Sequence, residues 1–201
     1  MSRLFLASRN PKKLEELRRI IGASVSDIEV VGLDDVSAYD EPAETEPTFE
    51  GNALIKARAG LTATGLPTLA DDSGLCVDAL NGMPGVLSAR WAGRAKDDAG
   101  NNALLLAQLA DVPGERRGAR FRCAVAFAVP GGAESVVFGE MPGRIIRETR
   151  GSNGFGYDVV FVPEGEARTS AEMGDDEKDA ISHRGKSLRR IAPIVADALR
   201  R

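Results

Sequence analysis

A polar and basic run near the start of the chain has the residue types needed to bind a phosphate. It consists of Ser8, Arg9, Asn10, Pro11, Lys12 and Lys13. Asn is favoured at a helix N-cap and Pro at the first helical position, so the run predicts the beginning of a helix. The free N–H groups and the positive dipole end of such a helix attract anions. A capped helix with solvated lysines explains the run equally well, and the Gly-x4-Gly-Lys-Ser/Thr pattern of a P-loop is absent.

Two adjacent carboxylates, Asp71 and Asp72, follow an apolar stretch and precede Ser73 and a glycine. Carboxylate oxygens are the ligands that Mg²⁺ prefers, and one of the two could also deprotonate water. A polar turn is the alternative interpretation. An acidic loop upstream contains Glu41 and Glu44, which matter chemically only if the fold returns that loop to Asp72.

A predicted helix lies between the acidic loop and the carboxylate pair. Thr48 has the residue type of its N-cap, and Asn52 and Lys56 are four residues apart and therefore share one face. Lys56 could contact a phosphate from this face. An exposed surface lysine is the other interpretation.

A glycine-rich segment at 151–158 could surround a nucleobase. Phe155 and Tyr157 offer flat faces, while Gly156 and its neighbouring glycines allow close backbone approach, and Asp158 ends the segment. A hairpin turn explains the glycines equally well.

The last group of polar residues includes the only histidine of the chain. Lys178, His183 and Arg184 could donate hydrogen bonds to phosphates or to base oxygens, although a solvated helix end has the same composition. One histidine and two cysteines give no spacing typical of a Ser-His-Asp triad or a zinc site.

The elements that would position these residues follow from apolar spacing and caps. Strands are predicted at about 3–8, 28–33, 66–70, 121–129, 135–139, 143–147 and 157–162. Helices are predicted at about 11–21 with Gly22 as its stop, at 49–63 and at 97–110, and the chain is helical from about 170. Because strands and helices alternate early and strands cluster later, we expect a mixed α/β sheet covered by helices.

Size and composition exclude several classes of protein. The chain has 201 residues, of which 43% are apolar and 28% charged, so it is globular and large enough for one domain. Its net charge of −4 disfavours a nucleic-acid-binding module. No apolar run is long enough to span a membrane, and the N-terminal apolar stretch is too short for a signal peptide. We therefore expect a cytoplasmic protein in which Cys76 and Cys123 are reduced core thiols.

The motifs together resemble those of the inosine triphosphate pyrophosphatase family, the Ham1-like XTP/dITP diphosphatases. The matching segments, in the family's order, are LASRNPKKLEEL (6–17), TFEGNALIKA (48–57), ADDSGL (70–75), PGVLSAR (84–90), GFGYD (154–158) and AISHRG (180–185). The resemblance covers nearly the whole chain. Gly51 and Trp91 depart from the family's usual Glu and Tyr, and neither is assigned to chemistry.

The resemblance implies a Maf/Ham1-like α/β fold: a mixed, elongated, twisted sheet flanked by helices, in a single 1–201 domain with two lobes and a central cleft. It implies a homodimer and Mg²⁺-dependent hydrolysis of ITP, dITP or XTP to the monophosphate and pyrophosphate. It assigns the triphosphate to Ser8–Lys13, with Lys56 on a phosphate and Ser73 on the substrate. It assigns Asp72 as base and metal ligand, Glu41 as second metal ligand, Phe155–Asp158 as the base surround, and Lys178, His183 and Arg184 as base recognition.

Three other functions stay open at this point. A Maf-like pyrophosphatase would share the chemistry but accept pyrimidine or modified nucleotides. A nucleotide sensor would bind in the same cleft without catalysis, and a nucleic-acid-binding module is disfavoured by charge. The sequence does not rank ITP, dITP and XTP as substrates.

Overall fold

The structure is a computed structural model that describes residues 2–25, 28–93, 97–132 and 134–200. Its strands are β1 (Ser2–Leu6), β2 (Ile28–Val31), β3 (Thr68–Val77), β4 (Gly118–Ala128), β5 (Glu134–Ile145) and β6 (Phe161–Pro163). Its α-helices are α1 (Pro11–Ser24), α2 (Phe49–Thr64), α3 (Asp98–Gln108), α4 (Asp175–Ile181) and α5 (His183–Leu199). Short 3₁₀ turns lie at Leu33–Asp35, Asp78–Leu80, Gly85–Arg90, Gly114–Arg116, Gly156–Val159 and Ser170–Glu172.

The six strands form one sheet in the order β2-β1-β3-β4-β5-β6. Strand β1 pairs in parallel with β2 and β3, whereas β5 and β6 are antiparallel. Helices flank this sheet, so the predicted mixed α/β fold is confirmed. In the part of the chain that the structure describes, no helix combines the length and apolarity needed to cross a bilayer.

Contacts group the chain into two compact units. The first unit comprises Met1–Asp72, Cys123–Gly139 and Arg184–Arg201, and the second comprises Ser73–Arg122 and Glu140–His183. Neither unit is a continuous stretch of sequence, because strands β3, β4 and β5 each contribute residues to both.

In the first unit, the sheet is covered on both faces. Leu4 and Leu6 of β1 pack with α1 and with the stripe Leu188, Ile191 and Val195 of α5. Phe5, between them, packs on the opposite face in a cluster that contains alanines of α2. Successive side chains of a strand point to opposite faces, so β1 is apolar on both.

The second unit has its own core, which positions the glycine-rich segment. Its buried apolar side chains come from β3, α3, β4, β5 and β6, and include Leu75, Leu105, Phe121 and Phe161. Tyr157 belongs to the same cluster, so the glycine-rich segment is anchored in this core.

The predicted beginnings of α1 and α2 are confirmed. The Asn10 side chain accepts hydrogen bonds from the N–H groups of Lys12 and Lys13, and the Thr48 side chain accepts one from Gly51. The prediction that Gly22 ends α1 is wrong. The helix continues to Ser24 because Ile21 and Val25 are both buried in the core, and the Val25 N–H closes on the Ile21 carbonyl.

Two other predicted boundaries are also wrong. Strand β3 does not end at Ala70 but runs through Asp71, Asp72 and Ser73 to Val77. The predicted strand at 157–162 is instead a 3₁₀ turn, Gly156–Val159, followed by the short β6.

Candidate active site

Asp71 and Asp72 lie in the middle of β3 and point to opposite faces of the sheet. Leu69 packs in the cluster that contains α1 and α5, and Ala70 packs in the cluster that contains α2. The two-residue period of a strand therefore sends Asp71 toward α1 and α5 and Asp72 toward α2. The contacts of the two carboxylates, which are both buried, agree with this.

Asp71 holds two cations from different helices. Its Oδ2 lies 3.1 Å from Lys13 Nζ and 3.2 Å from Arg184 Nε, and Arg184 also pairs with Glu16 of α1. Burial alone would raise the pKa of Asp71, but the charges of Lys13, Arg184 and Lys56 hold it well below its usual range. Asp71 is therefore a permanent anion that orients cations, and it is unsuited to accept a proton.

Asp72 has a different environment, made by α2 and the acidic loop. Asn52 Nδ2 donates to Asp72 Oδ2 at 3.1 Å, and Lys56 Nζ lies 3.8 Å from Asp72 Oδ1. Burial raises the pKa of Asp72, Glu44 adds to the increase, and Lys56 and Lys13 oppose it. A carboxylate with a raised pKa is a stronger base, which suits Asp72 to remove a proton from water.

The acidic loop returns to Asp72 through Glu44. Lys56 Nζ lies 2.8 Å from Glu44 Oε1, so the ammonium faces the carboxylates of Glu44 and Asp72 together. Glu41, the residue assigned as second metal ligand, instead pairs with Arg9 Nε at 2.9 Å. The metal-ligand role of Glu41 stays a prediction. Glu44 shares Lys56 with Asp72, so it is better placed than Glu41 to bind a metal ion together with Asp72.

These oxygen donors suit a hard divalent cation. Among the described residues, no group of three or more acidic, histidine or cysteine side chains forms a preformed metal cage. Mg²⁺ is usually held by one or two carboxylates together with substrate phosphates, and Asp72 and Glu44 are such a pair. The Lys56 ammonium lies beside both carboxylates, so a metal ion held by them would share them with this lysine.

The run from Ser8 to Lys13, predicted to bind phosphate, leads into α1 as expected. Asn10 Oδ1 accepts from Lys12 N at 3.1 Å and from Lys13 N at 3.3 Å, and the Ser8 hydroxyl accepts from Asn10 N at 3.4 Å. Lys13 reaches Asp71, whereas Lys12 is exposed. Ser73 follows Asp72 in β3 and is partly buried.

Three of the residues assigned to the base contact one another in the second unit. Lys178 and Asp158 form a buried ion pair of 2.7 Å, and Asp158 Oδ2 also accepts from the Phe155 N–H at 2.9 Å. Lys178 Nζ lies 5.2 Å from the centre of the Phe155 ring. His183 stacks on Phe121 with ring centres 4.9 Å apart. The structure therefore brings Phe155, Asp158 and Lys178 together.

Arg184 does not accompany His183. Its guanidinium is buried in the first unit between Glu16 and Asp71, whereas His183 packs in the second. Adjacent residues of a helix point about 100° apart, which explains the separation. These contacts give Arg184 the position of a support for Asp71 rather than of a base-recognition residue.

Sequence reasoning missed several supporting side chains. Glu16 lies on the buried face of α1 with Leu17 and Ile20, and an acidic residue at such a position requires a cation. The position of Glu16 on the apolar face of the predicted helix was therefore a signal for a buried ion pair. Ser88 accepts the Tyr157 hydroxyl through its carbonyl at 2.9 Å, a pairing across 69 residues that no local pattern indicates.

Comparisons with known proteins show the family to which the chain belongs. A sequence model of the Ham1 family matches residues 4–194. A Nocardia farcinica protein named dITP/XTP pyrophosphatase is 63% identical, covering 98% of this chain and 96% of the relative. A solved Mycobacterium abscessus nucleoside-triphosphatase is 58% identical with a TM-score of 0.78, covering 95% of this chain and 99% of that one. A HAM1 protein from Coxiella burnetii is 40% identical with a TM-score of 0.87, covering 98% and 100%.

Proposed function

Because the chain belongs to the Ham1 family, we propose that it hydrolyses non-standard purine nucleoside triphosphates to the monophosphate and pyrophosphate. It is an enzyme of the nucleoside-triphosphate hydrolase class. The substrates in this proposal are ITP, dITP and XTP, and the reaction cleanses the nucleotide pool. The names of the close relatives, dITP/XTP pyrophosphatase, support this choice.

The observation that carries the proposal is the opposite placement of the two carboxylates in β3. One face of the strand presents Asp72 beside Lys56 and Glu44, and the other presents Asp71 with Lys13. Phosphoryl chemistry requires a base for water together with cations for the leaving group, and the Asp72 face supplies both in Asp72 and Lys56.

We propose that Asp72 accepts the proton of the attacking water. The water oxygen forms a bond to the α-phosphorus, the bond from that phosphorus to the bridging oxygen of the β-phosphate breaks, and pyrophosphate leaves. Lys13 and Lys56 stabilise the charge that develops on the leaving pyrophosphate. The contacts of Asp72 support its role, because Asn52 holds one of its carboxylate oxygens and Lys56 lies beside the other.

Mg²⁺ is the proposed cofactor, and Asp72 and Glu44 are the residues that would hold it. When bound, it would neutralise phosphate charge and lower the pKa of a bound water. Asn52 orients Asp72 by donating to its Oδ2.

The remaining assignments divide between the two ends of the nucleotide. The triphosphate is assigned to Ser8, Arg9, Asn10, Pro11, Lys12, Lys13 and Lys56, with Ser73 on the substrate. The base is assigned to Phe155, Gly156, Tyr157, Asp158, Lys178 and His183.

Hypoxanthine and xanthine carry a 6-oxo group where adenine carries a 6-amino group. Adenine would therefore leave hydrogen-bond donors such as His183 unpaired, and such a mismatch can lower the rate for the wrong base by about 10⁴-fold. A cytoplasmic homodimer with no nucleic-acid or membrane partner completes the proposal.

The test is release of pyrophosphate and orthophosphate with Mg²⁺ from ITP, XTP, dITP, GTP, ATP, CTP and UTP. We expect fast pyrophosphate release from ITP, XTP and dITP only, and a loss of roughly 10³-fold or more in Asp72→Asn. Asp34→Asn, a change of the same kind at an exposed position, is the control and should behave like the wild type.

Each alternative predicts a different outcome of this panel. Preference for CTP or UTP would indicate a Maf-like enzyme, and orthophosphate release alone would indicate cleavage at the γ-phosphate. ITP binding without any release would indicate a sensor. Full activity of Asp72→Asn at saturating Mg²⁺ would remove Asp72 from the reaction.

A further inference from the structure

The backbone of Gly156 is held on both sides by side chains of α3. The Gly156 N–H donates to Asp98 Oδ2 at 2.8 Å, and the Gly156 carbonyl accepts from Asn102 Nδ2 at 2.8 Å. Asp98 and Asn102 are one helical turn apart and therefore present their side chains to the same place. We call this pair the α3 clamp.

The clamp acts at one of the two glycines of the GFGYD motif that adopt a conformation costly for most side chains, the other being Gly154 with a φ of +72°. Gly156 has a φ of +61°, in the left-handed region, and it opens the 3₁₀ turn Gly156–Val159. A glycine populates many other conformations at little cost, so its sequence alone does not fix this one. Two hydrogen bonds from a helix restrict that freedom.

The orientation of the Asn102 amide follows from its partners. Its Nδ2 has two acceptors, the carbonyls of Asp98 and Gly156, both at 2.8 Å. Its Oδ1 is buried and has no hydrogen-bond donor among the described residues. An unsatisfied buried acceptor costs about 1–3 kcal/mol. The chain keeps this cost at a side chain that is 5% exposed, which indicates that the contact with Gly156 matters.

The residues on either side of Gly156 have separate supports. Phe155 donates its N–H to Asp158, which pairs with Lys178, and the Tyr157 hydroxyl donates to the Ser88 carbonyl. These contacts hold Phe155 and Tyr157 in place, whereas the Gly156 backbone between them is held by the α3 clamp. Loss of the clamp therefore changes the angle between the Phe155 and Tyr157 segments without removing either anchor.

We propose that Asp98 and Asn102 are positioning residues for base recognition, which hold Gly156 in its left-handed conformation and so fix the surface offered to the purine. This inference rests on the proposed function and adds two residues that act through the backbone of the motif. The clamp acts on the base and not on the phosphates, because it contacts only the segment assigned to the base.

The test compares Asp98→Ala and Asn102→Ala with the wild type in two assays. The first is kcat and KM for ITP and ATP, and the second is inhibition by inorganic triphosphate, which has no base. We expect KM for ITP to rise roughly tenfold and the preference for ITP over ATP to fall by a similar factor. The kcat for ITP and the inhibition constant of triphosphate should change less than about twofold.

Conservative variants separate hydrogen bonding from bulk. Asp98→Asn keeps an oxygen that accepts from Gly156 and should rescue most of the preference, whereas Asn102→Asp loses both donors and should behave like Asn102→Ala. Asn101→Ala is the matched control on the same helix. Asn101 is buried and accepts from the Ala92 N–H at 2.7 Å, so its loss lowers stability without touching Gly156.

Two results would overturn the proposal while the wild type still hydrolyses ITP. One is an unchanged preference for ITP in both clamp variants, or a change no larger than that of Asn101→Ala. The other is an equal loss of activity on all nucleotides with weaker inhibition by triphosphate, because that indicates a general structural role. A wild-type protein that is inert to every nucleotide would overturn the proposed function itself, and this inference with it.

Discussion

Asp71 and Asp72 are neighbours in sequence that the strand assigns to opposite environments. The Asp71 carboxyl has a pKa well below its usual range because three cations surround it, in spite of its burial. The pKa of Asp72 is raised by burial and by Glu44. Paired titratable groups whose environments separate their pKa values commonly divide the work of a site. Here one anion orients cations and the other is available as a base.

Glu44 and Glu41 lie in the same loop, and substituting each in turn tests which of them binds the metal ion. Glu44→Gln removes a carboxylate that faces Asp72 across Lys56, so we expect kcat/KM to fall on the order of tenfold or more and the Mg²⁺ requirement to rise. Glu41→Gln removes only an ion pair with the half-exposed Arg9, so we expect a change of less than about threefold. Activity is measured as pyrophosphate release over a Mg²⁺ titration.

The reverse order of the two effects would restore Glu41 as the metal ligand. The sequence could not choose between them, because the 37–47 loop has no apolar period that fixes which side chain faces the sheet. Asp72 and Lys56 were identifiable, since a carboxylate pair and a helical i, i+4 spacing are local signals.

Helix α5 contributes both apolar and ionic contacts to the first unit. Its stripe of Leu188, Ile191 and Val195, at helical spacing, lies in the core. Its Arg184 neutralises Glu16 and Asp71, two buried carboxylates that come from α1 and β3. The helix therefore stabilises the anion that orients Lys13.

Substitution of Arg184 is expected to destabilise the protein. Arg184→Met leaves Glu16 and Asp71 without their shared cation, and loss of one partner of a buried ion pair typically costs about 3–5 kcal/mol. We expect the free energy of unfolding in urea to fall by about that amount. The kcat for all substrates should fall together, with the preference for ITP over ATP unchanged.

The double variant Glu16→Gln, Arg184→Met is the control and should recover part of the stability, because it removes one of the uncompensated charges. A selective loss of the ITP preference in a stable Arg184→Met protein would contradict the positioning role and would return Arg184 to the base.

Local sequence signals account for most element positions but not for the extent of β3. Caps at Asn10 and Thr48 placed the beginnings of α1 and α2 correctly, whereas the helical stretch predicted from about 170 is a 3₁₀ turn followed by the two helices α4 and α5. The Asp-Asp-Ser-Gly segment has the composition of a turn, yet it continues the strand. Its charges are tolerated inside the sheet because Lys13, Arg184 and Lys56 come from helices distant in sequence. Such long-range pairs leave no local pattern.

The two cysteines lie in different units and differ in how deeply they are buried. Cys123 is fully buried in the core of the first unit, and Cys76, in the second, is partly exposed. Both thiols are free, as predicted. Burial raises the pKa of Cys123 to about 12, with Asp71 adding to the increase.

Cys123 should therefore be protected from thiol reagents in the folded protein. At pH 8 the ionised fraction of such a thiol is on the order of 10⁻⁴, and only the thiolate reacts. We expect the Cys76→Ser variant to react with a disulfide reagent only as it unfolds, with the same denaturant midpoint as circular dichroism. Reaction of this variant at the rate of a free thiol under native conditions would mean that the first unit opens locally.

The core that joins β1 to α5 has a consequence for how the protein is made. Leu4 and Leu6 are synthesised before Leu188, Ile191 and Val195, which pack with them in one core cluster. The apolar surface of β1 therefore stays uncovered until α5 has been made, and holding chaperones can bind it in that interval. A chain that stops before α5 would lack both the apolar stripe that packs on β1 and the Arg184 that neutralises Asp71, so we expect its first unit not to fold.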